Sequence, residues 1–253
     1  MLVALVALAF AAGFLDAVVG MGYGTVLGPL LVVMGYRLPE AVPALLLSQV
    51  VAGLVGARFH HANGNASFAP ESIHLRVAGV LVAAGLAGGF AGPWVARGVG
   101  ETVVRAYMGL MITGLGVWLL AGRRPQGFSW RRLVALGALA SVNKGLTGGG
   151  YGPLVASGQI VSGLDPRAAV AITNLAEAAV SLAAVASYAW WFWGSWRWDL
   201  VLAVTCGAVL AAPFGTRTVR RVSAVRLRTL VGGATVCLGF LALLSGRSAA
   251  LGQ

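Results

Sequence analysis

Charge is what this sequence has least of. Of its 253 residues only 10% are Asp, Glu, Lys or Arg, against roughly 25% in an ordinary soluble domain. Seven residues are acidic, and one lysine, Lys144, stands among 18 basic residues. With a mean hydropathy of +0.86, a soluble fold of this length has no interior large enough for the apolar surface it would have to hide. Lipid as the solvent removes that problem. Cysteine is scarce as well. Cys206 and Cys237 each sit inside an apolar run and read as packing residues. No Cys/His spacing resembles a zinc site, and nothing calls for a metal or another cofactor.

The net charge of +11 raises nucleic acid as a partner, and its placement argues against it. Arg123, Arg124, Arg131 and Arg132 form one cluster between apolar segments. Arg217, Arg220, Arg221, Arg226 and Arg228 form another. Short Arg-rich loops between spans mark the cytoplasmic side of a membrane protein, whereas a nucleic-acid binder carries a basic stripe on a soluble domain. The expected surroundings are membrane lipids, with anionic headgroups near the arginines. Residues 1–18 have no basic n-region and run into a motif that recurs later, so they are expected to stay with the mature chain.

The apolar segments fall at about 2–18, 24–35, 41–58, 76–96, 103–121, 133–147, 151–163, 168–193, 199–216 and 229–245. They predict an all-α polytopic membrane protein with eight to ten membrane segments. The pieces beside the two Gly-rich breaks are mostly short, since a span needs about 20 residues. The halves resemble each other. A shift of 128 residues brings Gly20, Gly22, Tyr23 and Gly24 onto Gly148, Gly150, Tyr151 and Gly152, Asp16 onto Lys144 and Gln49 onto Glu177. A shift of 123 then aligns Arg97 with Arg220, Arg105 with Arg228 and Gly116 with Gly239. The organisation read from this is a first transmembrane repeat at 1–122, a basic cytoplasmic linker at 123–132 and a second repeat at 133–253.

Charge also sets the orientation. An even number of crossings per repeat would put the two Arg clusters on opposite sides; an odd number puts both in the cytoplasm. The simplest odd arrangement is three spans plus one re-entrant, Gly-broken hairpin per repeat, with the repeats inverted. The Trp-rich loop at 190–198 would then lie outside as an aromatic belt. Arg58, His60, His61 and Asn63 end a span, where headgroup contact is their expected role and gating of a cytoplasmic mouth is the alternative.

The breaks are the candidate site. Irregular backbone at membrane depth survives only if it is buried in protein or lines a polar cavity, and paired broken helices point to a transporter binding site. Gly24 or Thr25 is expected to cap the half-helix after the first break, and Pro153 to sit in the first turn after the second. Backbone N–H groups at Gly22, Tyr23, Gly24 and Thr25 and at Gly150 and Tyr151 would face an anion. Lys144, with Asn143 beside it, would supply charge. Asp16, Glu177 and Gln49 are the candidates for proton coupling or for the counter-ion. For Lys144 and Asp16 a permanent structural ion pair stays open, as does simple helix packing for the glycines. Ser141 and Ser157 lie near Lys144, but no oxyanion-hole context accompanies them, so no enzyme is expected.

These residues also carry a resemblance. Asp16-x-x-x-Gly-Met-Gly-Tyr-Gly24 followed by Gly28-Pro29, Tyr36-Arg-Leu-Pro-Glu-Ala-Val42, His60-His61-x-x-Gly64-Asn65, Gly148-Gly-Gly-Tyr-Gly-Pro153 and Asp165-Pro-Arg-Ala-Ala-Val170 resemble the TauE/SafE family of sulfite and organosulfonate exporters. The resemblance covers nearly the whole chain. It implies a permease in the bacterial inner membrane that exports a small sulfur-containing anion such as sulfite or sulfoacetate; the reading taken from the residues is a secondary transporter in which Glu177 or Asp16 would couple protons. A passive anion channel and a permease for another small anion are the alternatives, and a homo-oligomer is compatible with the sequence. Tyr23 and Tyr151 depart from the family's usual glycines, which leaves the choice of anion open.

Overall fold

The computed structural model describes residues 2–95, 101–121 and 127–250. Arg97, Arg123 and Arg124, used in the charge argument, and the first part of the 123–132 linker lie outside them. Among the described residues there is no strand. The helices are α1 (Leu2–Val19), α2 (Tyr23–Val33), α3 (Leu38–Ala62), α4 (Ile73–Val95), α5 (Glu101–Leu120), α6 (Trp130–Thr147), α7 (Tyr151–Val161), α8 (Pro166–Phe192), α9 (Trp198–Arg221) and α10 (Ala224–Ala250), with a short 3-10 turn at Trp193–Ser195. Each apolar segment read from the sequence is a helix. By length and composition, α1, α3, α4, α8 and α9 can cross a membrane. At 11 residues each, α2 and α7 reach about 16 Å, roughly half the hydrocarbon core.

Local chemistry ends and restarts these helices at matching places. After α2, Tyr36 N–H donates to the Leu31 carbonyl at 3.0 Å; after α7, Leu164 N–H donates to the Gln159 carbonyl at 3.1 Å. Gly35 and Gly163 make both closures possible, at φ of +93° and +90°, the left-handed values with which glycine commonly finishes a helix. The next helices then carry a proline at their start, Pro39 second in α3 and Pro166 first in α8. At α8, Asp165 Oδ1 accepts from the N–H groups of Arg167 and Ala168 at 2.9 and 3.2 Å, filling donors that a helix start leaves open.

Small residues set the packing and give its directions. Gly13 abuts Ala208 and Gly215 abuts Ala17, so α1 runs parallel to α9. Gly137 abuts Leu81 and Gly145 abuts Gly92, so α6 runs parallel to α4. Helices α3 and α8 cross antiparallel, with Gln49 against Glu177 and His60 against Asn174. Helices α5 and α10 are also antiparallel: Gly116 lies against Gly232 and Val236, and Gly239 against Thr113 and Gly109. In lipid, such close backbone approach supplies the attraction that water-driven burial cannot.

Two apolar clusters place the ends of the short helices. Leu5 and Ala9 from the first half of α1 share a cluster with Leu31 of α2, with Tyr36 after it, and with Leu200 and Val201 at the start of α9. Leu133 from the start of α6 shares another with Val155 of α7, Val77 of α4 and Ala168 of α8. Each Gly break is therefore the apex of a V whose arms open toward one end of the bundle. At the tryptophan end, the rings of Trp193, Trp196 and Trp198 lie 5.1–5.9 Å apart, and the Arg197 guanidinium sits 5.8 Å over Tyr36. At the arginine end, Arg220 and Arg221 close α9, and Arg167 Nη2 donates to the Val222 carbonyl at 2.7 Å.

Two expectations fail here. Cys206 and Cys237 are exposed on the outside of the bundle. In a membrane protein an apolar side chain needs no protein cover, so sitting in an apolar run did not imply packing. His60, expected at headgroups, is fully buried; its neighbours Arg58 and His61 are the ones exposed.

Candidate functional site

The two breaks meet in the middle of the bundle. Gly20 N–H donates to the Asp16 carbonyl at 2.7 Å and ends α1; Gly148 N–H donates to the Lys144 carbonyl at 2.8 Å and ends α6. Gly22 and Gly150 precede the following helices with φ of +118° and +78°, where a side chain would be strained. The tips touch backbone to backbone. A Cβ on Gly24 would strike the Gly148 carbonyl oxygen, and one on Gly152 the Gly20 carbonyl oxygen. Gly150 N–H donates to Thr25 Oγ1 at 3.3 Å. Gly24 and Thr25 thus do not cap α2, as the sequence suggested. That helix starts at Tyr23, and Thr25 serves the opposite tip. Pro153 does lie in the first turn of α7.

The N-termini of the two half-helices are dressed differently. At α2, Asp16 Oδ1 accepts from Tyr23 N–H at 3.3 Å, so an internal carboxylate already faces the positive end of the helix dipole. At α7 no side chain caps the helix, and the residue in Asp16's repeat position is Lys144.

Lys144 is fully buried. Its Nζ lies 2.6 Å from Gln49 Oε1 and 2.6 Å from Glu177 Oε1. Gln49 Nε2 in turn donates to Glu177 Oε1 at 3.1 Å. The ion pair is therefore Lys144–Glu177, not Lys144–Asp16. Repeat position paired Lys144 with Asp16, but the lysine reaches the α3–α8 crossing, while Asp16 turns to its own hairpin tip. Asp16 stays within electrostatic range of both Glu177 and Lys144. Asn143 is buried next to Lys144 in the chain.

The paired tyrosines also differ. Tyr23 OH accepts from Ser48 Oγ at 2.6 Å and donates to the Val204 carbonyl at 3.1 Å. The Tyr151 hydroxyl is buried without a hydrogen-bond partner among the described residues, because Ala176 stands where Ser48 stands in the first half. The Tyr151 phenol lies within electrostatic range of Glu177. Beside this centre, Asp16, Tyr23, Gln49, Asn174 and Glu177 line a cavity of about 20 Å³ with small residues of α1, α3 and α9. That is room for about one water.

The structure thus brings Asp16, Tyr23, Gln49, Lys144, Tyr151 and Glu177 to one centre, with Gly22, Gly24, Thr25 and Gly150 at the touching tips. Sequence reasoning named His60 at the end of a span but missed its burial and its polar partners Asn65 and Asn174, with Thr216 beyond them. A signal for it was present: Asn63-Gly64-Asn65 after a helix is a chain reversal that folds polar side chains back onto the last turn.

Comparison with known proteins gives the family. The sequence profile described as sulfite exporter TauE/SafE matches residues 5–242. The chain is 25% identical over 232 residues to the probable membrane transporter protein YtnM of Bacillus subtilis (strain 168), covering 87% of this chain and 75% of the relative. No solved structure matches. A helical bundle with membrane-length apolar helices, matched over nearly its whole length, makes this chain a multi-pass membrane protein that belongs to the sulfite exporter TauE/SafE family.

Proposed function

We propose that the protein is a secondary transporter that exports a small sulfur-containing oxyanion, sulfite or an organosulfonate such as sulfoacetate, across the bacterial inner membrane. The observation that carries the reading is the single lysine of the chain, buried where two broken helices cross and held by Gln49 and Glu177 at 2.6 Å each. An ammonium at that depth is costly unless paired. In the empty, closed state Glu177 supplies the pairing charge. An arriving oxyanion takes its place on Lys144, the Tyr151 hydroxyl donates to one oxygen, and the N–H groups at the start of α7 donate to another. Glu177, displaced into a dry interior, takes up a proton. Release of the anion on the far side returns Glu177 to Lys144 and frees the proton, which couples the two movements.

The two halves act as inverted repeats. Support comes from the matched contacts. The α1–α9 pair corresponds to α6–α4, α3–α8 corresponds to itself, and Gly24 against Gly148 corresponds to Gly152 against Gly20. The antiparallel course of α3 and α8 favours inversion over a parallel duplication. Each repeat then comprises one re-entrant hairpin and three spans, with the arginine end in the cytoplasm. Alternating access is the rocking of one repeat-related bundle against the other about the crossed tips. A cavity with room for one water fits a state closed around an empty site.

Reconstitution tests this. Purified protein in liposomes should give saturable flux of sulfite or sulfoacetate, and Lys144→Ala should abolish anion binding. Unchanged affinity in Lys144→Ala removes that residue from the site.

A further inference from the structure

At the arginine end a pocket of about 410 Å³ is lined by Asn63, Arg217, Arg220 and Arg221. The three arginines lie three and four residues apart on the last turns of α9, hence on one helix face. None of them makes an ion pair with an acidic residue among the described residues. Between this pocket and the central cavity lies a stack of buried polar side chains. Asn63 Nδ2 donates to Thr216 Oγ1 at 3.0 Å. Asn65 Nδ2 donates to the Thr216 carbonyl at 2.9 Å and lies 3.0 Å from His60 Nδ1. His60 Nε2 lies 3.2 Å from the amide of Asn174, and Asn174 lines the central cavity beside Glu177.

The local sequence builds this stack. Helix α3 ends with Asn65 N–H donating to the His60 carbonyl at 3.0 Å and Gly64 N–H donating to the His61 carbonyl at 3.1 Å, across Gly64 at φ +72°. That closure folds the chain back and lays Asn65 under the imidazole. His60, Asn65, Thr216 and Asn174 are all buried; a neutral imidazole whose Nδ1 accepts from Asn65 presents its Nε2–H to the Asn174 amide oxygen, and the Asn65 Oδ1 has no partner among the described residues. A permanently dry contact between helices would be cheaper if it were apolar, since each buried unsatisfied polar atom costs about 1–3 kcal/mol. Polar surfaces that water reaches whenever the contact opens carry that cost only part of the time.

We propose that the Asn63–Arg217–Arg220–Arg221 pocket is a mouth that collects small oxyanions at the arginine face, and that His60, clamped between Asn65 and Asn174, is the closed gate between this mouth and the central site. The assignment rests on the transport reading for its purpose. Its test does not depend on which anion is carried. A basic mouth raises the local concentration of anions and repels cations. Opening the contact joins Arg217 to Asn174 through a continuous polar lining, so the gate residues also form the wall of the open path.

The test is thiol labelling of Ala212→Cys, a small residue lining the central cavity, in a Cys206→Ser/Cys237→Ser background in zwitterionic liposomes. The probes are an anionic and a cationic methanethiosulfonate, added at the arginine face. The expected result is slow labelling that favours the anionic reagent by about tenfold, and labelling about tenfold faster in His60→Ala. Arg217→Gln/Arg220→Gln/Arg221→Gln should remove the charge preference, slowing the anionic reagent and speeding the cationic one. Asn65→Ala, which removes the support on the other side of the ring, carries the same expectation as His60→Ala should that variant fail to reach the membrane. Labelling indifferent to reagent charge overturns the mouth, and labelling indifferent to both His60→Ala and Asn65→Ala overturns the gate. Loss of the charge preference when anionic lipid is included would assign the arginines to headgroups instead and overturn the mouth. Correct labelling behaviour with no sulfite or sulfoacetate flux would leave this inference standing and reject the proposed substrates.

Discussion

Replacing Lys144 by Met tests whether the central ion pair is what the buried geometry says it is. Lys144 is fully buried, and the Glu177 side chain is 7% exposed, at 2.6 Å. Removing the ammonium leaves Glu177 at the α3–α8 crossing with only Gln49 Nε2, 3.1 Å away. Breaking one side of such a pair costs about 3–5 kcal/mol, because an uncompensated charge is left in the interior. For a chain of this length that corresponds to a fall in melting temperature of about 6–20 °C. Replacing both partners at once, Lys144→Met with Glu177→Leu, removes the stranded charge and should recover most of the loss. Thermal unfolding of the four proteins in one detergent gives the cycle. A Lys144→Met protein as stable as the parent, or a double variant no more stable than the single, would refute the buried pair. The cycle also separates stability from function, since the double variant is expected to fold and to transport nothing.

The crossed tips give a second expectation. Gly24→Ala and Gly152→Ala each push a methyl against a carbonyl oxygen of the opposite tip and should lose about 1–3 kcal/mol or more, whereas Gly233→Ala, with open space around it, should be neutral or slightly stabilising in a thermal melt. Tyr151→Phe removes a hydroxyl without a hydrogen-bond partner among the described residues, so stability should hold while KM for the anion rises about tenfold. Tyr23→Phe, which loses bonds to Ser48 and Val204, should instead lower the melting temperature. For the topology, Gly127→Cys and Val222→Cys should react with an impermeant thiol reagent from the same side of the membrane. Reaction from opposite sides would sink the inverted arrangement.

Much of the helical layout could be read from hydropathy alone, because in lipid every spanning segment must satisfy its own backbone. The apolar runs at 24–35 and 151–163 were visibly short, and α2 and α7 are. The repeat shift of 128 brought Gln49 and Glu177 into correspondence, and those two residues touch. Partner choice was harder to read. Correspondence under a repeat says that two residues occupy like places, not that they meet, which is why Asp16 was matched to Lys144 while the salt bridge goes to Glu177. Pattern also places no residue between elements far apart in the chain. The bonds from Asn65 to Thr216 and from His60 to Asn174 depend on how α3, α8 and α9 pack, and only a turn motif hinted at them. Cysteine burial failed for a different reason: hydropathy cannot tell a side chain facing lipid from one facing protein.

The most direct measurement is sulfite and sulfoacetate flux in proteoliposomes, with and without an imposed proton gradient, for the parent and for Lys144→Met/Glu177→Leu shown to be folded. The account predicts saturable, gradient-dependent flux of one of these anions in the parent and none in the double variant. Undiminished flux in the double variant, or no flux of either anion from folded parent protein, would contradict it.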